Sequence, residues 1–268
     1  MFAADARTLS RIEPAVRRVV IADANVAAAR LLVDILKSMG SREVVVETDE
    51  ARVLDAVREI EPGLIFTERS GPKLNGEALA RKLRRSHLAS RRAPIIMVTS
   101  EATATTIKGA RDSGVHEFLR KPFTSADLFR RVENVALKQR DWIEGVAYVG
   151  PDRRRFNSGE YAGPQKRKQD QPASAAGAAI AVKDQALRIL AAALAQFDND
   201  PLQAIRAARQ QAETLKALAI KTSDAQLAIA AAGLEGSLAA GPATKATLIG
   251  PIERLLALAD PAPLARAG

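Results

Sequence analysis

Cysteine is absent from the chain, and histidine occurs only twice in 268 residues. Disulfide staples and thiolate metal sites are excluded, and a histidine-based metal site or proton relay has too few ligands to form. Aromatic residues make up 4% of the chain against 47% apolar residues, so its interior must be built from Ala, Leu, Val and Ile. No apolar run approaches the roughly 20 residues that a membrane-spanning helix needs. The opening "MFAADARTLSRIEPAVRR" carries acids and no long apolar core, unlike a secretory signal. These absences predict a soluble, cytoplasmic protein with no membrane span.

What is present is an excess of positive charge, unevenly spread. The net charge of +9 divides into +5 for residues 1–147, +3 for 148–170 and +1 for 171–268. The middle segment is by far the most charge-dense. Before it, from about residue 16, short β-rich runs alternate with amphipathic stretches. "RRVVIAD", "REVVVET", "GLIFTE", "APIIMVTS" and "VHEFLR" read as strands, each followed by a helical pattern. Five strands alternating with five helices in about 125 residues predict a doubly wound, five-stranded parallel sheet with helices on both faces. The continuously apolar runs at 19–22, 64–66 and 95–98 fit strands covered on both sides.

The pattern breaks after residue 141. The expected organisation is an N-terminal tail over 1–15, an α/β domain over 16–141, a basic Gly/Pro/Arg-rich linker over 142–180 and a small all-α bundle over 181–262. Pro201 fits a first helical turn, and Ser223 reads as an N-cap.

In such a sheet the functional groups gather at the C-terminal ends of the strands. Asp23, Ala24 and Asn25 end the first strand, Glu68 the third, and Thr99 and Ser100 the fourth, while Lys121 and Pro122 follow the fifth. Two acids, a hydroxyl and an ammonium from four strands are brought to one patch.

Here residues 17–138 resemble the receiver domains of two-component response regulators, related to the chemotaxis regulators and flavodoxin-like in fold. The resemblance rests on "VVIADAN", "PGLIFTERSGPKLNG", "PIIMVTS" and "GVHEFLRKPFT". It implies an acidic loop at Asp23, a phosphoacceptor position at Glu68, a switch hydroxyl at Thr99, a switch aromatic at Phe118 and a phosphoryl-binding Lys121. In an active receiver, paired strand-one acids and an acceptor Asp bind Mg²⁺, and that Asp takes a phosphoryl group.

This sequence departs from the pattern twice. Ala24 replaces the second strand-one acid, and Glu68 stands where the acceptor Asp belongs. Mg²⁺ demands near-octahedral oxygen ligands, so losing a carboxylate should leave metal binding weak or absent. A Glu carboxylate reaches about one methylene further than Asp, which spoils in-line transfer. It also sets negative charge roughly where an aspartyl phosphate would lie, within reach of Lys121 and Thr99. No cofactor, metal or catalysis is expected of such a pseudo-receiver.

Two further features carry readings of their own. "YVGPDRRR" and "YAGPQKRK" repeat Tyr, Gly, Pro and three basic positions thirteen residues apart. Arg offers a planar fork for phosphate and Tyr a stacking face. Tyr148, Arg153, Arg154, Arg155, Tyr161, Lys166, Arg167 and Lys168 are therefore candidates for binding an anionic ligand. In composition they are similar to Arg-rich, cyclic di-GMP-binding tails, and a solvated basic linker is the plainer alternative. A second run, "RKLRRSHLASRR" (Arg81 to Arg92), is expected to be a solvated face. The C-terminal "AETLKALA" weakly resembles a histidine-phosphotransfer bundle with Glu213 in place of its His and Ala217 in place of its Gly.

The expected function is a phosphorylation-independent signalling adaptor. Its expected partners are kinase, phosphotransfer or motility proteins, and its bundle is a candidate homodimer interface. The alternatives are a cyclic di-GMP-responsive effector and a conventional phosphoacceptor. The nearly neutral C-terminal part has no evident recognition helix, so specific DNA binding is not expected.

Overall fold

A computed structural model describes residues 6–153 and 175–259. The chain divides into two compact units, one of Met1–Ile143 with Tyr148–Tyr161, the other of Glu144–Ala147 with Ala162–Gly268.

The first unit is built on strands β1 (Arg18–Ala22), β2 (Glu43–Glu47), β3 (Leu64–Glu68), β6 (Ile95–Thr99) and β7 (Glu117–Arg120). They pair in parallel in the order β2-β1-β3-β6-β7. Register places Ile21 beside Phe66, Phe66 beside Ile96 and Met97 beside Phe118. Because side chains alternate along a strand, each strand feeds two cores. Val19, Ile21, Phe66, Ile96 and Leu119 join Leu32, Leu36, Leu128 and Val132 on one face. Val20, Ile65, Met97 and Phe118 join Val53, Val57, Leu79 and Leu83 on the other. The helices supplying these residues are α2 (Val26–Ser38) and α6 (Ser125–Leu137) on the first face, α3 (Glu50–Ile60), α4 (Gly76–Arg85) and α5 (Ala104–Asp112) on the second. Each starts on a side-chain cap: Asn25, Asp49, Asn75, Thr103 and Thr124 each accept a first-turn backbone N–H. Short two-residue strands β4 (Ser70–Gly71) and β5 (Leu74–Asn75) make an antiparallel turn after β3.

Three stretches differ from the sequence-based expectation. Residues 6–16 are not a tail: they form helix α1 (Ala6–Val16), whose Ile12 and Val16 are fully buried in the first core. Its apolar residues recur at helical spacing, and Gly63 lets it approach, since a Cβ there would lie 2.6 Å from the Ala15 carbonyl oxygen.

The segment after α6 is not linker from its start. It forms a ribbon of β8 (Trp142–Glu144) and β9 (Val149–Pro151). Gly150 holds a φ of +152° that suits glycine, and a Cβ there would fall 2.8 Å from Gly114 Cα.

The run Arg81–Arg92 is not simply a solvated face. Arg84 is among the most buried side chains of the protein. Its guanidinium donates to the carbonyls of Gly114 (2.9 Å), Arg91 (2.7 Å) and Ala93 (2.8 Å), and its Nη2 lies 3.0 Å from His116 Nδ1. Burial, together with the nearby Arg91 charge, outweighs the pull of Tyr148 and brings the Arg84 pKa down to about 9. Burial first, then the Arg84 charge, holds His116 well below its ordinary value, so the imidazole is neutral and its Nδ1 free to accept. A charge run hides one residue whose partners are backbone carbonyls, which no charge pattern can announce.

The second unit packs α7 (Ala175–Ala195), α8 (Pro201–Thr222), α9 (Ala225–Ala239) and α10 (Lys245–Leu256). Helix α7 neighbours α8 and α10, and α9 neighbours the same two, so the all-α region expected here is a bundle of these four helices. Its core pairs Leu190, Leu215, Leu234 and Leu255 with Ala204, Ala207, Ala208, Ala212 and Ala231, small residues that let helices approach closely. Helix α7 begins before residue 181. Pro201 does open α8, with Asp200 as cap. Asp224, not Ser223, caps α9: Ser223 takes a left-handed conformation (φ 55°) that ends α8.

Candidate functional site

The C-terminal ends of β1, β3, β6 and the turn after β7 bring Asp23, Glu68, Thr99 and Lys121 to one edge of the sheet. Asp23 and Thr99 are buried. The ammonium of Lys121 sits between the two acids, 3.1 Å from Asp23 Oδ2 and in direct contact with Glu68 Oε2. The remaining oxygens are also engaged. Asp23 Oδ1 accepts the Asn25 N–H at 2.8 Å, and Glu68 Oε1 accepts the Arg69 N–H at 3.2 Å. Each of the four carboxylate oxygens thus already has a donor. Burial disfavours the charge on Lys121, but the hydrogen bonds it donates to Glu68 and Asp23 outweigh that and raise its pKa above the ordinary lysine value.

The other predicted positions fall as follows. Ala24 lies against Gly71, where a Cβ would come within 2.7 Å of its methyl. Thr99 Oγ1 accepts the Glu101 N–H at 3.3 Å rather than bonding Glu68. Phe118 is buried in the second core, and it also lines a cavity of about 370 Å³ with Ala102, Ile107, Pro122 and Phe123.

Sequence reasoning missed the rim of this site. Arg69 reaches Glu101 at 2.5 Å and Glu77 at 3.6 Å, tying the ends of β3 and β6 to α4. Its position directly after Glu68 was the available signal.

The Arg/Tyr candidates fare differently. Tyr148 is buried, its hydroxyl donates to the Pro151 carbonyl, and Arg153 lies 4.4 Å over its ring while pairing with Asp112 at 3.1 Å. Burial raises the Tyr148 pKa to about 12 against the opposing pull of Arg84 and Arg153. Both side chains are already engaged within the protein. Arg154, Arg155, Tyr161, Lys166, Arg167 and Lys168 lie outside the described residues. Glu213 and Ala217 are exposed on α8.

The model of the response regulator receiver domain matches residues 19–133. Those residues are a receiver domain. The receiver segment is 29% identical over 116 residues to the DNA-binding response regulator MtrA of Mycobacterium tuberculosis, covering 43% of this chain and 49% of that protein. It is 26% identical over 124 residues to the sensory/regulatory protein RpfC of Xanthomonas campestris, covering 46% of this chain and 17% of that protein. The chain therefore spans about half the length of the MtrA proteins it matches. Among solved structures, a response regulator from Chloroflexus aurantiacus aligns over 46% of this chain and 98% of its own, at 22% identity and a TM-score of 0.43. The chemotaxis protein CheY4 of Vibrio cholerae aligns over 44% of this chain and 97% of its own, at 20% identity and a TM-score of 0.42.

Receivers imply a Mg²⁺ ion at this edge of the sheet. The residues present do not suit one. Mg²⁺ needs close oxygen ligands, and here both carboxylates are bound to the same ammonium, while the third acidic position is a methyl. Among the described residues no cluster of three acidic or histidine side chains is arranged to hold a metal.

Proposed function

We propose that this receiver domain signals without phosphorylation, as an adaptor that works through protein contacts. One observation carries this: Lys121 bridges Asp23 and Glu68, so the acids that would bind metal and accept phosphate are both committed to its ammonium. Glu68 supplies a fixed negative charge, and Lys121 a fixed partner for it. The pair holds permanently an arrangement that an active receiver reaches only on modification. On this reading the chain is not an enzyme and needs no cofactor. Its partners are other signalling proteins, with the helical unit as a second docking or self-association surface.

Incubating the full chain with a small phosphodonor and Mg²⁺, then measuring intact mass and mapping peptides, tests the proposal. The expected result is an unmodified protein; a phosphoryl adduct mapped to Glu68 would return it to the conventional phosphoacceptors. Cyclic di-GMP binding is the weaker reading, because it needs Tyr148 as a stacking face and that ring is buried beneath Arg153.

A further inference from the structure

The function above leaves the basic run Arg81–Arg92 without a role, although the fold organises it closely. The edge of the sheet opposite Lys121, where the strands begin, gathers three guanidinium groups around the single tryptophan of the chain. The guanidinium carbons of Arg84, Arg91 and Arg92 lie 5.3, 5.7 and 5.4 Å from the Trp142 ring centroid. Like charges held this close repel one another, and folds keep such local conflicts chiefly where a function requires them. Arg84 is spent on carbonyls, and Arg91 donates to the Arg84 carbonyl. Arg92 is exposed, and its contact with the indole fixes a planar fork at the surface.

The run itself carries charge of one sign. Between Arg81 and Arg92 there are six Arg or Lys residues and no acid. Within it Arg81 and Lys82 pair with Glu77 and Glu50, while Arg84, Arg91 and Arg92 converge on Trp142. These three guanidinium groups concentrate positive charge at the indole.

We infer that the Arg92–Trp142 patch is a docking site for an acidic segment of a partner protein, a short run of Asp or Glu side chains. This rests on the adaptor reading and names the chemistry of the partner. Arg forks pair bidentately with carboxylates. Nucleic acid fits less well. A duplex needs a basic stripe that tracks its backbone, whereas the ion-paired cations around this patch interrupt one. A single strand needs a free aromatic face for stacking, and this indole is already stacked by guanidinium groups.

Trp142 is the only tryptophan, so its fluorescence reports on the patch directly. The full chain would be titrated with poly-L-glutamate at about 0.15 M salt, a concentration that screens loose, long-range attraction. A saturable change in Trp142 emission is expected. Arg92→Ala should weaken it about fivefold or more, as loss of one charge-assisted contact implies, with Arg92→Lys intermediate and Arg130→Ala unchanged. No saturable change, or equal affinity for wild type and Arg92→Ala, overturns the proposal. So does tighter binding of a DNA duplex than of poly-L-glutamate. These outcomes are read at Trp142 and leave the phosphodonor result at Glu68 untouched, so the two ideas fail separately.

Discussion

The two edges of the receiver sheet invert what their surfaces suggest. The edge where strands end holds acids and an ammonium at positions that, in this fold, perform phosphoryl chemistry. Here both acids share the single ammonium of Lys121. The edge where strands begin reads in the sequence as a run of solvated charge, yet it contains one of the most buried polar side chains of the domain, Arg84. Chemically reactive residue types can be tied up, and charge runs can be structural. What decides is which partners the fold supplies.

The comparison breaks first at Arg84. Replacing it with Leu leaves the carbonyls of Gly114, Arg91 and Ala93 without their donor in a buried to half-buried site. Each orphaned buried acceptor costs about 1–3 kcal/mol, so Arg84→Leu should lose about 3 kcal/mol or more of stability in urea melts. A surface arginine would cost almost nothing, and that result would restore the solvated reading of this edge.

Gly114→Ala probes the same edge through the backbone. Gly114 has a φ of +91°, and a Cβ there would lie 2.8 Å from the Val149 oxygen and 2.9 Å from Arg84 Cγ. About 2 kcal/mol of destabilisation is expected from strain and overpacking together, measured the same way.

The opposite edge should respond less. Lys121→Met removes the ammonium between Asp23 and Glu68, a site open enough to water that about 1 kcal/mol near neutral pH is the expected loss. The sign with pH is fixed by the raised pKa of Lys121. Its contribution is complete below the ordinary lysine value of 10.5 and disappears as pH rises through the higher folded value. The stability gap between wild type and Lys121→Met should therefore be constant at neutral pH and close above about 10.5.

Much of this was legible in the sequence because the receiver sheet is written in period-two and period-3.6 patterns with strong caps. Asp23, Glu68, Thr99 and Lys121 could be placed together because strand ends in a doubly wound sheet converge whatever occupies them. Arg84 and helix α1 were not legible, for a common reason. Each is held by contacts distant in sequence: Arg84 by the Gly114 carbonyl, α1 by the space over Gly63. Local composition marks Arg as exposed and an N-terminal segment as a tail. Only the three-dimensional arrangement supplies the carbonyls and the missing Cβ that reverse both. Ser223 failed on a smaller scale: two adjacent residues could each cap α9, and the left-handed turn that ends α8 selects Asp224.

The central claim is that Lys121 commits both acids of the strand-end site and so leaves no Mg²⁺ site. Titration calorimetry of the full chain with Mg²⁺ tests it most directly, run beside a variant carrying Ala24→Asp and Glu68→Asp together. Wild type should give no saturable heat, and the variant, with the acidic set rebuilt, should bind. Saturable Mg²⁺ binding by the wild type, comparable to that of the variant, would contradict the account.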